Sequence, residues 1–179
     1  MFHVIDDFVD TDTSDSIMNF VFGTTNLSNA EGIMGNLQFA VKFDETSPGS
    51  ISFFRMLYSE KVNYSEPILH DFITEHIHSH PLLSGKIPIR GRCYLQLPGL
   101  CEAKFKKPHT DSSDDHLVAL YYVNNSDGNT IFYDSADNPT GIEIEPKKGR
   151  LLIFDGKMRH GAGVPKFSPR CVINYNFSY

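Results

Sequence analysis

From Ile87 onward the chain is a succession of short apolar segments separated by turn residues, and this pattern limits the possible folds more than any other feature. Arg90 to Leu97, Leu117 to Val123, Thr130 to Tyr133, Ile142 to Glu145, Leu151 to Phe154, Gly161 to Val164 and Arg170 to Phe177 read as strands. Pro98-Gly99, Asn124 to Gly128, Asn138-Pro139, Lys147 to Gly149 and Asp155-Gly156 punctuate them. The run Asn124-Asn-Ser-Asp-Gly128 is a strong hairpin signal. Short strands at this spacing indicate a sandwich or jelly roll.

The first half is mixed. Residues 2–8 read as an opening strand. Asp12 or Thr13 can cap a helix that carries Ile17, Phe20 and Val21 on one face and stops at Gly23. Residues 24–36 read as loop, Leu37 to Phe43 as a strand, and Asp44 to Ser50 as a turn. Ile51 to Tyr58 fits either a strand or a helix. Ser65 and Pro67 suit the start of a second helix, with Ile68, Leu69, Phe72, Ile73 and Ile77 as its apolar stripe and Pro81 as its end. That helix carries His70, His76, His78 and His80. His76 and His80 are four apart, which suits a metal, but the glutamate of the zinc-protease pattern is missing. Ordinary helix histidines are the preferred reading.

The length of 179 residues suits one domain, with 1–85 supporting a core of 86–179. A formal net charge of −6 argues against a nucleic-acid partner, since such proteins usually present a basic field. No apolar run approaches membrane-spanning length, and the N-terminus does not resemble a signal peptide. Cys93, Cys101 and Cys171 are sparse and odd in number, which fits reduced thiols and a cytoplasmic location.

Chemistry concentrates between His109 and Arg170. In His109-Thr-Asp111 the two outer side chains leave the same side of an extended segment. His160 follows at the end of a later strand, and Arg170 stands ten residues beyond it. Two histidines and a carboxylate are the set that holds Fe(II) on one face and leaves positions open for cosubstrate and dioxygen. Arg170 then offers a guanidinium that can clamp the carboxylate of a keto acid. Alternation puts Arg170, Val172, Asn174 and Asn176 on one face of the last strand and Cys171, Ile173, Tyr175 and Phe177 on the other. An arginine facing a barrel interior is costly unless it meets an anion. Tyr122 is placed to donate to the same carboxylate. His116 reads as an ordinary loop residue, and Lys104, Lys106 and Lys107 as a solvated loop.

Residues 90–177 resemble the catalytic core of the 2-oxoglutarate- and Fe(II)-dependent oxygenases, most of all the prolyl 4-hydroxylase branch. The matching residues are His109-Thr-Asp111, Leu120 to Asn124, Gly149 to Phe154, His160 and Arg170, and Val4 to Phe8 followed by a helix adds to the likeness. The resemblance implies a mainly β fold with flanking helices, a double-stranded β-helix of the cupin-like jelly-roll kind. It implies iron held by His109, Asp111 and His160, and 2-oxoglutarate held by Arg170 and Tyr122, with Tyr94 and Asn174 lining the pocket. Dioxygen is the second cosubstrate and ascorbate the candidate reductant. The implied reaction is hydroxylation of a protein or peptide side chain, proline first. The same chemistry on a free amino acid, another small molecule or a nucleobase is the alternative within the class. A cupin-like metal-binding module without oxygenase activity is the alternative outside it. Arg170 speaks against that module, which has no use for a guanidinium in its pocket.

Overall fold

The computed structural model describes residues 2–23, 39–43, 51–59, 62–63, 67–99 and 106–179. The expected loop at 24–36, the turn at 44–50, the cap at Ser65, and Cys101 and Lys104 lie outside them. In chain order the elements are β1 (Phe2–Ile5), α1 (Thr11–Phe22), β2 (Ala40–Phe43), β3 (Ile51–Ser59), β4 (Val62–Asn63) and α2 (Pro67–Phe72). A π-helical turn (Ile73–Ile77) follows, then β5 (Pro88–Gln96), β6 (His116–Tyr122), β7 (Thr130–Tyr133), β8 (Pro139–Ile144), β9 (Leu151–Asp155), β10 (His160–Ala162) and β11 (Arg170–Ser178).

The strands form two antiparallel sheets. The larger runs β1-β9-β6-β11-β5-β3-β2, with β4 attached to β3, and the smaller runs β10-β7-β8. This is the mainly β jelly roll with flanking helices that the sequence indicates. The segment 51–59, ambiguous by pattern, is a strand because β2 and β5 pair with its two edges.

Register places the functional face. Ser52, Gln96 and Arg170 stand in one row across β3, β5 and β11. The next row along is Phe54, Tyr94, Val172 and Tyr122, and the one after it Met56, Arg92, Asn174 and Leu120. Alternation then makes the inside of the barrel and its outside chemically different. Inside, Val118, Leu120, Tyr122, Phe132, Leu152, Phe154 and Val172 form one apolar cluster. Outside, Cys171, Ile173, Tyr175 and Phe177 join Tyr121 and Ile153 in a second cluster that the helices cover.

The helices follow from local signals. Asp10, not Asp12 or Thr13, caps α1, its carboxylate accepting from the Thr13 N–H at 2.7 Å. Gly23 closes the helix at φ 81°, a conformation that suits glycine. Ile17 and Val21 are buried from α1, and Leu69, Phe72, Ile73 and Ile77 from α2 and the π turn. Each side chain of this size contributes about 1.5–3 kcal/mol on burial. The Phe72 ring meets Tyr121 edge-on at 4.7 Å, which seats α2 on the back of β6.

Candidate metal centre and anion pocket

His109, Asp111 and His160 each offer one ligand atom, and these atoms lie within 4.8 Å of one another. Among the described residues no other trio of His, Cys, Asp or Glu does so. Backbone pairing brings the two histidines together. The His109 N–H donates to the His160 carbonyl and the His160 N–H to the His109 carbonyl, both at 2.9 Å. The chain thus runs extended through 109–111, and Asp111 emerges on the same side as His109.

Each ring is oriented by a carbonyl. His160 Nδ1 lies 2.9 Å from the Met158 oxygen and His109 Nδ1 3.3 Å from the Lys107 oxygen. A carbonyl only accepts, so each Nδ1 donates, and the neutral tautomer that does so leaves Nε2 free to bind a metal. Burial pushes the His160 imidazole below its usual range, a pull that outweighs the nearby Asp111 and favours the neutral, coordinating form. Burial also raises the Asp111 carboxyl, but His160, the Asn174 amide, Arg90 and His109 together hold it low and ionised. Asn174 Nδ2 donates to Asp111 Oδ2 at 3.1 Å, and Arg90 Nη2 stands 3.2 Å from Oδ1. Two imidazoles and a fixed carboxylate, with His109 accessible at 54% side-chain exposure, suit a divalent metal.

The trio lines one cavity of about 640 Å³. Tyr94, Gln96, Thr130, Val172 and Asn174 line it, and Arg170 does as well. Arg170 is 4% exposed. Its Nη1 donates to Gln96 Oε1 at 3.1 Å and its Nη2 to Thr130 Oγ1 at 3.0 Å, while Nε has no partner among the described residues. No carboxylate pairs with it among the described residues, and desolvation pulls its pKa down. The Tyr122 hydroxyl reaches Thr130 Oγ1 at 2.7 Å. Thr130 therefore forms the wall at this point, and Tyr122, fully buried, stands behind it. Tyr94 and Asn174 lie on the cavity surface, as their alternation implies.

Several residues go beyond the sequence reading. Lys106 is not a solvated loop side chain: its Nζ donates to Ser52 Oγ at 3.0 Å and it lines the cavity. His116 is not in a loop: it opens β6 with no exposed surface, its ring against Gly156, where a Cβ would lie 2.0 Å from Nε2. Gln96 shares the Tyr94 face of its strand, so alternation marked it. No local signal marks Thr130 or Ser52. The helix histidines have local work: His78 Nε2 lies 2.8 Å from the Lys86 oxygen, and His80 Nδ1 accepts from the Leu82 N–H at 3.3 Å.

No family profile and no curated protein sequence matches this chain. Solved structures do. A 2OG-Fe(II) oxygenase family oxidoreductase from Burkholderia pseudomallei has a TM-score of 0.58 at 14% identity, over 79% of this chain and 72% of its own. A Trichoplax adhaerens prolyl hydroxylase, in complex with a hypoxia inducible factor oxygen degradation domain peptide, has a TM-score of 0.63 at 14% identity over 99% and 83%. The fold is that of the 2OG-Fe(II) oxygenases. The epimerase SnoN in complex with Fe3+, alpha ketoglutarate and nogalamycin RO shares it, at a TM-score of 0.68 and 12% identity over 99% and 78%. The double-stranded β-helix implied by the sequence resemblance is therefore the observed architecture.

Proposed function

We propose that the protein is an Fe(II)- and 2-oxoglutarate-dependent dioxygenase that hydroxylates a protein or peptide side chain, proline first. One observation carries this reading. A buried arginine without a carboxylate partner among the described residues lines the same cavity as a His-Asp-His metal trio. A cation in that position calls for a ligand anion.

In this reading His109, Asp111 and His160 hold Fe(II). Arg170 and the Thr130 hydroxyl hold the far carboxylate of 2-oxoglutarate, and Tyr122 fixes Thr130 through its 2.7 Å hydrogen bond. Bound there, Fe(II) with 2-oxoglutarate and dioxygen supplies oxidative decarboxylation to succinate and carbon dioxide, coupled to hydroxylation of a substrate C–H bond. The chain's own part is orientation and exclusion. Asn174 and Arg90 fix the Asp111 carboxylate, the two carbonyls aim the imidazoles, and Leu120, Phe154 and Val172 line an apolar wall beside them. Ascorbate is the proposed reductant between turnovers.

Residues 1–179 act as one domain in this proposal, with 86–179 as its catalytic core. A reducing, cytoplasmic setting belongs to this proposal and rests on the three sparse cysteines of the sequence. No helix among the described residues is long and apolar enough to cross a membrane. The prolyl hydroxylase with its bound peptide supports a peptide substrate. A small-molecule substrate is the second reading, favoured by the likeness to SnoN with nogalamycin RO.

Succinate release tests the proposal. It is expected to require both Fe(II) and 2-oxoglutarate and to vanish in Asp111→Ala. Unchanged turnover in that variant rules the mechanism out.

A further inference from the structure

A second cavity, of about 360 Å³, also has Asp111 in its wall. Asp111 lines both cavities, so a molecule occupying the second lies next to the metal trio. Arg90, Arg92 and Asn176 line the second cavity as well. Two guanidiniums thus face one described carboxylate, and Arg90 already engages it at 3.2 Å. Arg92 stands differently. Its Nη1 donates to the Tyr94 hydroxyl at 2.8 Å, and its buried Nε has no acceptor among the described residues. No carboxylate pairs with Arg92 among the described residues, in a chain whose formal charge is −6. Asn176 is 3% exposed, and its buried amide oxygen has no donor among the described residues.

The guanidinium of Arg92 lines this cavity with no carboxylate beside it among the described residues, a cation short of a counter-charge. A ligand carboxylate in the cavity supplies one. Resting on the oxygenase reading above, we propose that the substrate carries a carboxylate that Arg92 binds in this second cavity, while its reacting carbon faces the trio across Asp111. Tyr94 lines the larger cavity and Arg92 the smaller, so their hydrogen bond links the two and fixes where the anionic group sits. The carboxylate is either a free acid end or an acidic side chain next to the reacting residue.

Two matched probe pairs separate these sources. N-acetylglycine and N-acetylglycinamide represent the free acid end, and Ac-Pro-Glu-NH2 and Ac-Pro-Gln-NH2 the acidic side chain. Each is titrated with saturating 2-oxoglutarate present, following the Arg92 Nε–H signal by NMR. At least one acid is expected to bind about tenfold or more tightly than its amide, the scale of one charge-assisted hydrogen bond, and to shift that signal. The preference falls to parity in Arg92→Gln, survives in part in Arg92→Lys, and is unchanged in Lys157→Gln, an exposed control. Thermal melts confirm that each variant is folded. Parity in both pairs for the wild type, or a preference that survives Arg92→Gln, overturns the proposal. Succinate release is measured on the same samples. Its absence alongside an intact acid preference removes the oxygenase reading and leaves the anion site standing.

Discussion

Two buried arginines of this molecule lie in contrasting company. Arg150 is 8% exposed and Arg170 4%. Arg150 grips both Asp6 oxygens, Nε to Oδ1 at 2.5 Å and Nη2 to Oδ2 at 2.9 Å, and gives Nη1 to the Glu145 carbonyl at 2.7 Å. Arg170 donates to the neutral oxygens of Gln96 and Thr130 and packs over the Tyr122 ring, with no carboxylate beside it among the described residues. The Asp6 hydrogen bond raises the pKa of the first, and desolvation lowers that of the second. Arg150 is satisfied within the fold, whereas the proposed function assigns Arg170 to a ligand. Arg150 ties the N-terminal segment to the start of β9 and is complete. Arg170 lines the cavity of the His-Asp-His trio, and in the proposed function 2-oxoglutarate supplies its counter-charge there.

Substitutions at the two sites therefore have separate consequences. The largest is expected at Arg170. Arg170→Gln removes a buried charge contact to 2-oxoglutarate worth about 2–5 kcal/mol, so the cosubstrate KM rises on the order of 100-fold or more. The melting temperature does not fall, because an incompletely paired buried cation has been removed. Steady-state succinate assays and a thermal melt read both. A large loss of stability with an unchanged KM would make Arg170 another Arg150 and break the comparison.

Arg150→Gln is expected to do the opposite. It costs about 1–3 kcal/mol of stability, the scale of a hydrogen bond to a charged group, and leaves the cosubstrate KM alone. Chemical denaturation measures the first and the succinate assay the second. Tyr122→Phe is subtler. It deletes the hydrogen bond that holds Thr130, for about 1 kcal/mol, and raises the cosubstrate KM several-fold without abolishing turnover. A loss as deep as that of Arg170→Gln would mean that Tyr122 itself touches the cosubstrate.

The smallest effect is in pH dependence. The Arg150 hydrogen bond holds the Asp6 carboxyl below its ordinary range. A lowered carboxyl pKa gives stability that is present above the unfolded value of about 4 and lost as pH falls through the folded value. Between neutral pH and about pH 5 the gap between wild type and Arg150→Gln should hold steady, and below about pH 4 it should narrow. A gap that widens on acidification contradicts the pairing.

What was legible in the sequence is what a single strand carries. The alternation in β11 separated Arg170, Val172 and Asn174 from the apolar face, and the order His109, Asp111, His160, Arg170 named the trio and the cation. What a strand does not carry is its neighbour's register. Gln96 opposite Arg170, Ser52 opposite Gln96, and Arg90 against Asp111 depend on β3 and β5 lining up beside β11. Thr130 could not be told from other strand threonines, because its part comes from the smaller sheet approaching Tyr122. His116 looked like loop because the polar run before it hid the start of β6. The cap at Asp10 was missed for a narrower reason, since several adjacent residues are equally good caps and backbone geometry alone chooses among them.

The central claim is that Arg170 and the trio form one site for a keto acid chelated to iron. Anaerobic titration of 2-oxoglutarate into the Fe(II)-loaded protein, followed in the visible region, tests it most directly. A charge-transfer band is expected that saturates in the wild type, is missing in Asp111→Ala, and in Arg170→Gln needs on the order of 100-fold more cosubstrate. No band in the wild type, or a band with unchanged affinity in Arg170→Gln, contradicts it.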